Sequence, residues 1–269
     1  MVMKIILNAD DFGKSPERNR AIDDAFKMGL IRSAGLIVTG KYLQDAVNYI
    51  NNGNYANNIH IHFNVSANLL HEGSEDTPLT EEMKKDKFFC TGGKFKNYYG
   101  LPKKFSSIRK WKVVYKEMVA QYKKFIEVTN GKADYKHIDF HLWYNLTYPV
   151  SVAINLFTIF HHIKTVRYIG VHQIQMNNKV FKRCRILSWN PRVKYIPATN
   201  IDYYLSKRES FKDCKIVELY CHPHYKEGVF LDDSPSYLKH ERRPMIDQIQ
   251  DLRANGNTEF ISWEDDILK

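Results

Sequence analysis

Cysteine is scarce in this 269-residue chain: Cys90, Cys184, Cys214 and Cys221 stand far apart, with no Cys-x-x-Cys pair. That spacing excludes a zinc ribbon and a disulfide framework, and reduced thiols are expected. Proline and glycine are sparse as well, at 9 and 13 residues, and no segment is of low complexity or repeats at a fixed period. Disorder and solenoid architectures are excluded with them. Long apolar runs are missing: the most apolar stretch, residues 150–160, has about half the length that a bilayer-spanning helix needs. The N-terminal apolar run stops at Asn8, too short for a signal-peptide core and without a small-residue cleavage site. A cytoplasmic chain with no membrane span is the expectation. Acidic residues fall short of basic ones, 30 against 40, for a formal net charge of +10. The excess is spread along the chain and denser over 179–215, as in a solvated surface or a rim that steers an acidic ligand. No helix-turn-helix, zinc finger or aromatic RNA-binding signature accompanies it, so nucleic acid is not an expected partner.

What is present is an α/β rhythm. With 43% hydrophobic residues the chain can bury a large core. Residues 3–7 read as a strand, and Ser15 and Pro16 as an N-cap and first helical position. A strand over 33–38, a helix over 42–50 and a strand over 59–65 follow. That third strand alternates, with Ile59, Ile61, Phe63 and Val65 on one side and His60, His62 and Asn64 on the other. Residues 66–107 break the rhythm and read as a long inserted loop, of the kind that often acts as a lid. Beyond it the pattern predicts a helix over 108–128, a strand over 136–140, a helix over 150–162 and a strand over 165–169. Residues 170–215 yield only a helix at 201–207 and one short strand; then come a buried strand at 216–220, a loop to 239, a helix over 242–254 and a last strand at 259–262. About seven strands alternating with helices, with polar residues repeatedly where strands stop, favour a distorted or incomplete (β/α) barrel over an open doubly wound sheet. The expected organisation is a single domain spanning 1–269 with the 66–107 loop excursion.

Four strand ends carry the candidate chemistry: Asp10 and Asp11, His60 and His62, Asp139 and His141, His222 and His224. Because side chains alternate along a strand, Asp10 and Asp11 are expected to diverge unless a turn has begun. Carboxylate and imidazole suit a divalent cation such as Zn²⁺ or Mg²⁺, and Asp11, His62 and His141 would make a three-ligand set that leaves room for water. Asp139 orients an imidazole as a neighbouring carboxylate or caps a turn, and Arg167 contacts a substrate oxygen or pairs with a carboxylate. Phe12, Trp143 and Tyr144 are aromatic candidates for stacking on a ligand ring, or are core.

These residues resemble the YdjC-like carbohydrate deacetylases, a group that includes chitooligosaccharide and hopanoid-associated deacetylases. The likeness is carried by Asn8-Ala9-Asp10-Asp11-Phe12-Gly13, Ile31-Arg32-Ser33-Ala34, Ile61-His62-Phe63-Asn64-Val65-Ser66, His137-Ile138-Asp139-Phe140-His141, Glu218-Leu219-Tyr220-Cys221-His222-Pro223 and Arg243. The resemblance implies a distorted barrel and a metal-dependent hydrolase that removes acetyl groups from N-acetylated sugars through attack of a metal-bound water, and the excess positive charge makes an acidic saccharide a candidate substrate. It implies Asp11, His62 and His141 as metal ligands, Asp10 as catalytic base and His222 as acid. The chain departs from the pattern where Trp143 and Asn145 replace histidines, and where His60 replaces a common glycine. A non-catalytic glycan-binding relative and a metal-dependent phosphoesterase are the alternatives; the latter commonly needs two metals and more carboxylates than can be placed. The oligomeric state is open, a homodimer included.

Overall fold

A computed structural model describes residues 2–66, 76–96, 105–133, 136–141, 148–168, 190–234, 243–254 and 258–263. The first strand, β1 (Met3–Phe12), is longer than the apolar run that announces it, because Asn8 and Ala9 still pair with Ser33 and Ala34, and Phe12 with Leu36. It leads into α1 (Pro16–Lys27), whose first turn is capped by the Ser15 hydroxyl accepting from the Arg18 amide at 3.2 Å. Next come β2 (Ser33–Leu36), α2 (Leu43–Gly53) and β3 (Ile59–Phe63).

The described part of the long insert has structure of its own. It holds α3 (Glu81–Lys85) and a small antiparallel hairpin of β4 (Cys90–Thr91) and β5 (Lys94–Phe95) turning at Gly92 and Gly93. The insert is fastened to α4 (Trp111–Val128) by Glu117, a fully buried carboxylate that accepts from Leu79 N and Thr80 N at 2.9 Å and from Thr80 Oγ1 at 2.7 Å.

The chain continues through β6 (His137–Phe140), α5 (Tyr148–Phe160), β7 (Thr165–Tyr168), β8 (Lys194–Asn200), α6 (Ile201–Ser206) and β9 (Ile216–Cys221). A hairpin of β10 (Pro223–Lys226) and β11 (Val229–Asp232) fills part of the stretch that reads as a loop, and α7 (Met245–Ala254) and β12 (Thr258–Phe260) end the described chain.

Strands β1, β2, β3, β6, β7, β8 and β9 are parallel neighbours in that order, and β9 returns to pair with β1 from Lys4↔Ile216 to Ala9↔Cys221. The sheet is therefore a closed barrel of seven strands. With β9 along one edge of β1, the other edge is shared: β12 takes Met3–Ile5 and β2 takes Asn8–Phe12. The distortion expected from the sequence is this wedge at the barrel floor.

Alternation along each strand sorts the side chains. Ile5, Leu7 and Ala9 of β1, Ile59, Ile61 and Phe63 of β3, Ile138 and Phe140 of β6, and Val217, Leu219 and Cys221 of β9 join one buried cluster with Ile22, Ile50, Met118, Phe125, Phe157 and Leu252 of the surrounding helices. Each such large apolar side chain contributes about 1.5–3 kcal/mol on burial. The intervening residues face the barrel axis. At the floor these are apolar: Ile6, Ile196, Ile261 and Trp263 form a separate cluster. Above them, buried polar groups dominate: His60, His62, His137, Asp139, Arg167 and Glu218.

Candidate active site

The two aspartates that open the site sit where β1 breaks register with β2, between Ala9 and Phe12. Asp11 there takes φ 70, a left-handed conformation costing about 1–2 kcal/mol for a residue with a Cβ. The bulge re-aims the strand so that adjacent carboxylates both serve one pocket, which strict alternation would forbid. Gly13 follows at φ 98, and a Cβ on it would stand 2.8 Å from the Ile37 carbonyl oxygen.

Three strand ends then converge. Ligand-capable atoms of Asp11, His62 and His141 lie within 4.8 Å of one another, all buried. The His141 Nδ1 is 2.6 Å from Asp11 Oδ1, and His62 Nε2 is 3.5 Å from the same oxygen. Gly35 of β2 leaves the room that His62 occupies, since a Cβ there would meet the His62 Cβ at 2.9 Å. On the far side, His222 Nε2 faces both aspartates, 3.9 Å from Asp10 Oδ2 and 4.0 Å from Asp11 Oδ2. Asp10 itself is gripped by Arg167, whose two terminal nitrogens donate to its two oxygens at 2.6 Å each, and Asn8 Nδ2 adds a third donor at 2.8 Å.

With this geometry in view, comparison with known proteins is informative. A sequence profile described as YdjC-like protein matches residues 4–263. The chain belongs to the YdjC-like family. It is 26% identical over 268 residues to carbohydrate deacetylase 2 of Listeria innocua serovar 6a, covering 98% of both chains. A carbohydrate deacetylase of Xenopus laevis is 29% identical over 141 residues, which are 52% of this chain and 42% of that one. Among solved structures, an Enterococcus faecalis V583 protein with a provisional name as a cellobiose-phosphate cleavage protein superposes with TM-score 0.59 at 16% identity, over 84% of this chain and 83% of that one. That likeness speaks to the fold alone.

The donor set of this YdjC-like chain fits a divalent ion. One carboxylate and two imidazoles are the ligand types that zinc and similar ions take. The second nitrogen of His62 is also engaged, as in metal sites generally: Nδ1 lies 2.6 Å from Asp139 Oδ1, which fixes the ring and leaves Nε2 toward Asp11. Asp139 is thus in direct contact with the His62 imidazole. Burial alone would raise Asp11, yet contact with His141 and the Lys14 ammonium holds its carboxyl well below the usual range. Burial likewise opposes a charged His62, but Asp139 and Asp10 push it up to about 10, while burial pulls His141 down to about 4. The pocket already attracts a cation: the nearly buried Lys14 ammonium lies 3.8 Å from Asp11 Oδ2 and 2.8 Å from His141 Nε2.

His222 is aimed by groups that the sequence does not single out. Its Nδ1 is 2.9 Å from Ser234 Oγ, and that hydroxyl donates to Asp232 Oδ1 at 2.7 Å. The Ser234 proton being committed to Asp232, its oxygen accepts from His222 Nδ1–H, and Nε2 keeps its lone pair toward the aspartates. Burial lowers His222 below the ordinary imidazole value.

Arg167 spends all three nitrogens on carboxylates, reaching Glu218 from Nε at 2.8 Å and Asp139 from a terminal nitrogen at 2.6 Å, so it is a pairing residue rather than one facing substrate. Phe12 is wholly buried in the core cluster, where no sugar face reaches it. Trp143 and Tyr144, and Asn145 with them, lie outside the described residues. His224 pairs with Leu231 in the β10–β11 hairpin and joins none of the ligand-capable groups among the described residues. Sequence reasoning also missed Lys14 and Asp76. The latter comes from the insert and accepts from Asn64 Nδ2 at 2.7 Å.

Proposed function

We propose that this chain is a metal-dependent saccharide N-deacetylase, an amidohydrolase releasing acetate from N-acetylated sugars. The observation that carries this is the convergence of Asp11, His62 and His141 opposite a fixed Asp10 and an oriented His222. Membership of the YdjC-like family and a full-length relative named as a carbohydrate deacetylase support the substrate class. Asp11, His62 and His141 would hold the ion. When bound, it supplies Lewis acidity, acidifying water and polarising the acetamide carbonyl.

The chain's own residues do the rest. Asp10, held by Arg167 in one orientation, takes the proton of the attacking water. His222, its Nδ1–H held by Ser234, takes up at Nε2 the proton that Asp10, 3.9 Å away, removes from the water, and gives it to the departing amine as the C–N bond breaks. Its lowered affinity for protons makes the imidazolium the stronger acid for that transfer. A two-ion phosphoesterase is disfavoured, because Asp10 and Asp139, the carboxylates a second ion would need, are already paired with the Arg167 guanidinium.

The deciding assay measures acetate released from N-acetylglucosamine oligomers and from acidic N-acetylated saccharides, with added Zn²⁺ or Mg²⁺ and with chelator, beside hydrolysis of a generic phosphoester. Ion-dependent acetate release is expected. Phosphoester turnover without acetate release would overturn the assignment, and saccharide binding with no turnover under any ion would make the chain a glycan-binding relative.

A further inference from the structure

We infer that His60 is a positioning residue for the ion site, acting through Asp139 on His62; the inference rests on the metal-dependent reading above. The residue lies two places before His62 on β3, faces the barrel axis and is fully buried. Its Nε2 is 2.9 Å from Asp139 Oδ2, while the other oxygen of that carboxylate, Oδ1, is 2.6 Å from His62 Nδ1. Its remaining nitrogen, Nδ1, is 3.2 Å from the Ser33 hydroxyl on β2. A continuous path of side-chain contacts therefore runs from Ser33 through His60 and Asp139 to His62.

The consequence is mechanical. The Arg167 terminal nitrogen that reaches Asp139 has two hydrogens to share among Asp139, Asp10 and Glu218, so without His60 the Oδ2 side of the carboxylate would be held only by a divided donor, and the imidazole it orients could turn with it. Asp139 is bonded on both sides, by His62 on Oδ1 and by His60 and Arg167 on Oδ2. With the carboxylate plane fixed, His62 keeps its Nδ1–H inward and its Nε2 toward Asp11. A buried imidazole in an apolar role would be costly, and a leucine would fill the space without polar atoms. Both nitrogens of His60 are engaged instead.

A competing explanation is that His60 ligates a second ion together with His137 and Asp139, whose ligand-capable atoms also lie within 4.8 Å of one another. His137 Nε2 is buried and lacks a hydrogen-bond partner among the described residues. Charge argues against that site. The Asp139 oxygen nearest His60 already carries the Arg167 guanidinium at 2.6 Å, and a dication there would press against a fixed positive charge.

The test uses the full chain, stripped of metal, with His60→Leu and His60→Gln beside the wild type. Zn²⁺ affinity is read by calorimetry, the visible absorption of the Co²⁺-loaded protein reports the ligand geometry, and a thermal melt of the ion-free protein reports stability alone. His60→Leu should bind Zn²⁺ about 10-fold more weakly, the lower end of what removing an outer partner of a ligating histidine costs, and should change the Co²⁺ band. His60→Gln, whose amide can reach Asp139, should restore most of both. If His60→Leu does not fold, His60→Asn replaces it, being polar but too short to reach the carboxylate. Unchanged affinity and an unchanged Co²⁺ band in the variant, whatever its melting temperature, would overturn the inference alone. So would two ions in the wild type falling to one, since His60 would then be a ligand. A wild-type chain that binds no divalent ion would overturn the metal-dependent reading itself.

Discussion

Asp76 brings a carboxylate into the protein interior, 2% exposed, with the Asn64 amide as its hydrogen-bond donor. Burial pushes its pKa up to about 6 from the 3.8 of an unperturbed side chain. In the unfolded chain the group ionises near pH 4, so between pH 4 and 6 the folded state holds more protons than the unfolded one. Stability therefore falls as pH rises through that window and is level above it. Asp76→Asn, which cannot titrate, should gain up to about 3 kcal/mol relative to wild type between pH 4 and pH 7. Urea unfolding of both ion-free proteins at the two pH values measures this. An equal difference at both would mean that the interior accommodates the charge. Asp10 gives a second residue-scale outcome. Because it lies outside the Asp11, His62, His141 set and is tied to Arg167, Asp10→Asn should keep the ion while slowing acetate release about 10²-fold. Ion loss with an unchanged rate per bound ion would exchange the roles of the two aspartates.

At the scale of elements, strand ends place the chemistry, and their fit to one another is close. The Gly35 position on β2 has no space for a side chain beside His62 on β3. Gly35→Ala should cost about 1–3 kcal/mol of stability as an overpacked site, and should weaken Zn²⁺ binding because the atoms displaced belong to His62, one of the three proposed ligands. A melt and a calorimetric titration check the two effects, and unchanged ion affinity would mean that β2 yields instead of His62. The strands that carry the site residues were legible because outward apolar and inward polar residues alternate along them, as in Ile59 to Phe63. Other elements were hidden for local reasons. Pro197 interrupts the pattern of β8, and proline argues against a ladder strand. The two-residue strands β4 and β5 are too short for any periodicity to show. The β10–β11 hairpin turns at Glu227 and Gly228, both with positive φ, but Glu-Gly is a weaker turn signal than Asn-Gly or Asp-Gly. Within the site, the meeting of Asp11, His62 and His141 was legible from strand position, whereas the pairing of Arg167 with Asp10 spans 157 residues and exists only because the barrel closes.

For the whole molecule, the closed seven-stranded barrel separates two environments. Its outer face is the apolar surface on which the helices pack, and its interior is a column of histidines, carboxylates and one guanidinium above an apolar floor. Parallel sheets buried on both faces usually read as continuous apolar runs. Here the period-two pattern survives because one buried face is lined with polar and charged side chains. Asp10, Asp11, Asp139 and Glu218 share that interior with Arg167 and with the Lys14 ammonium at the Asp11 and His141 pocket, an environment that a divalent ion would balance. Membership of the YdjC-like family over residues 4–263 accords with this organisation, since the matched span takes in all seven barrel strands but for Met3 at the start of β1. The most direct measurement is the number of divalent ions bound per chain after exhaustive chelation and back-titration, for the wild type and for Asp11→Asn. One tightly bound ion in the wild type and none in the variant is the expected result; an ion retained at full affinity without the Asp11 carboxylate would contradict the account.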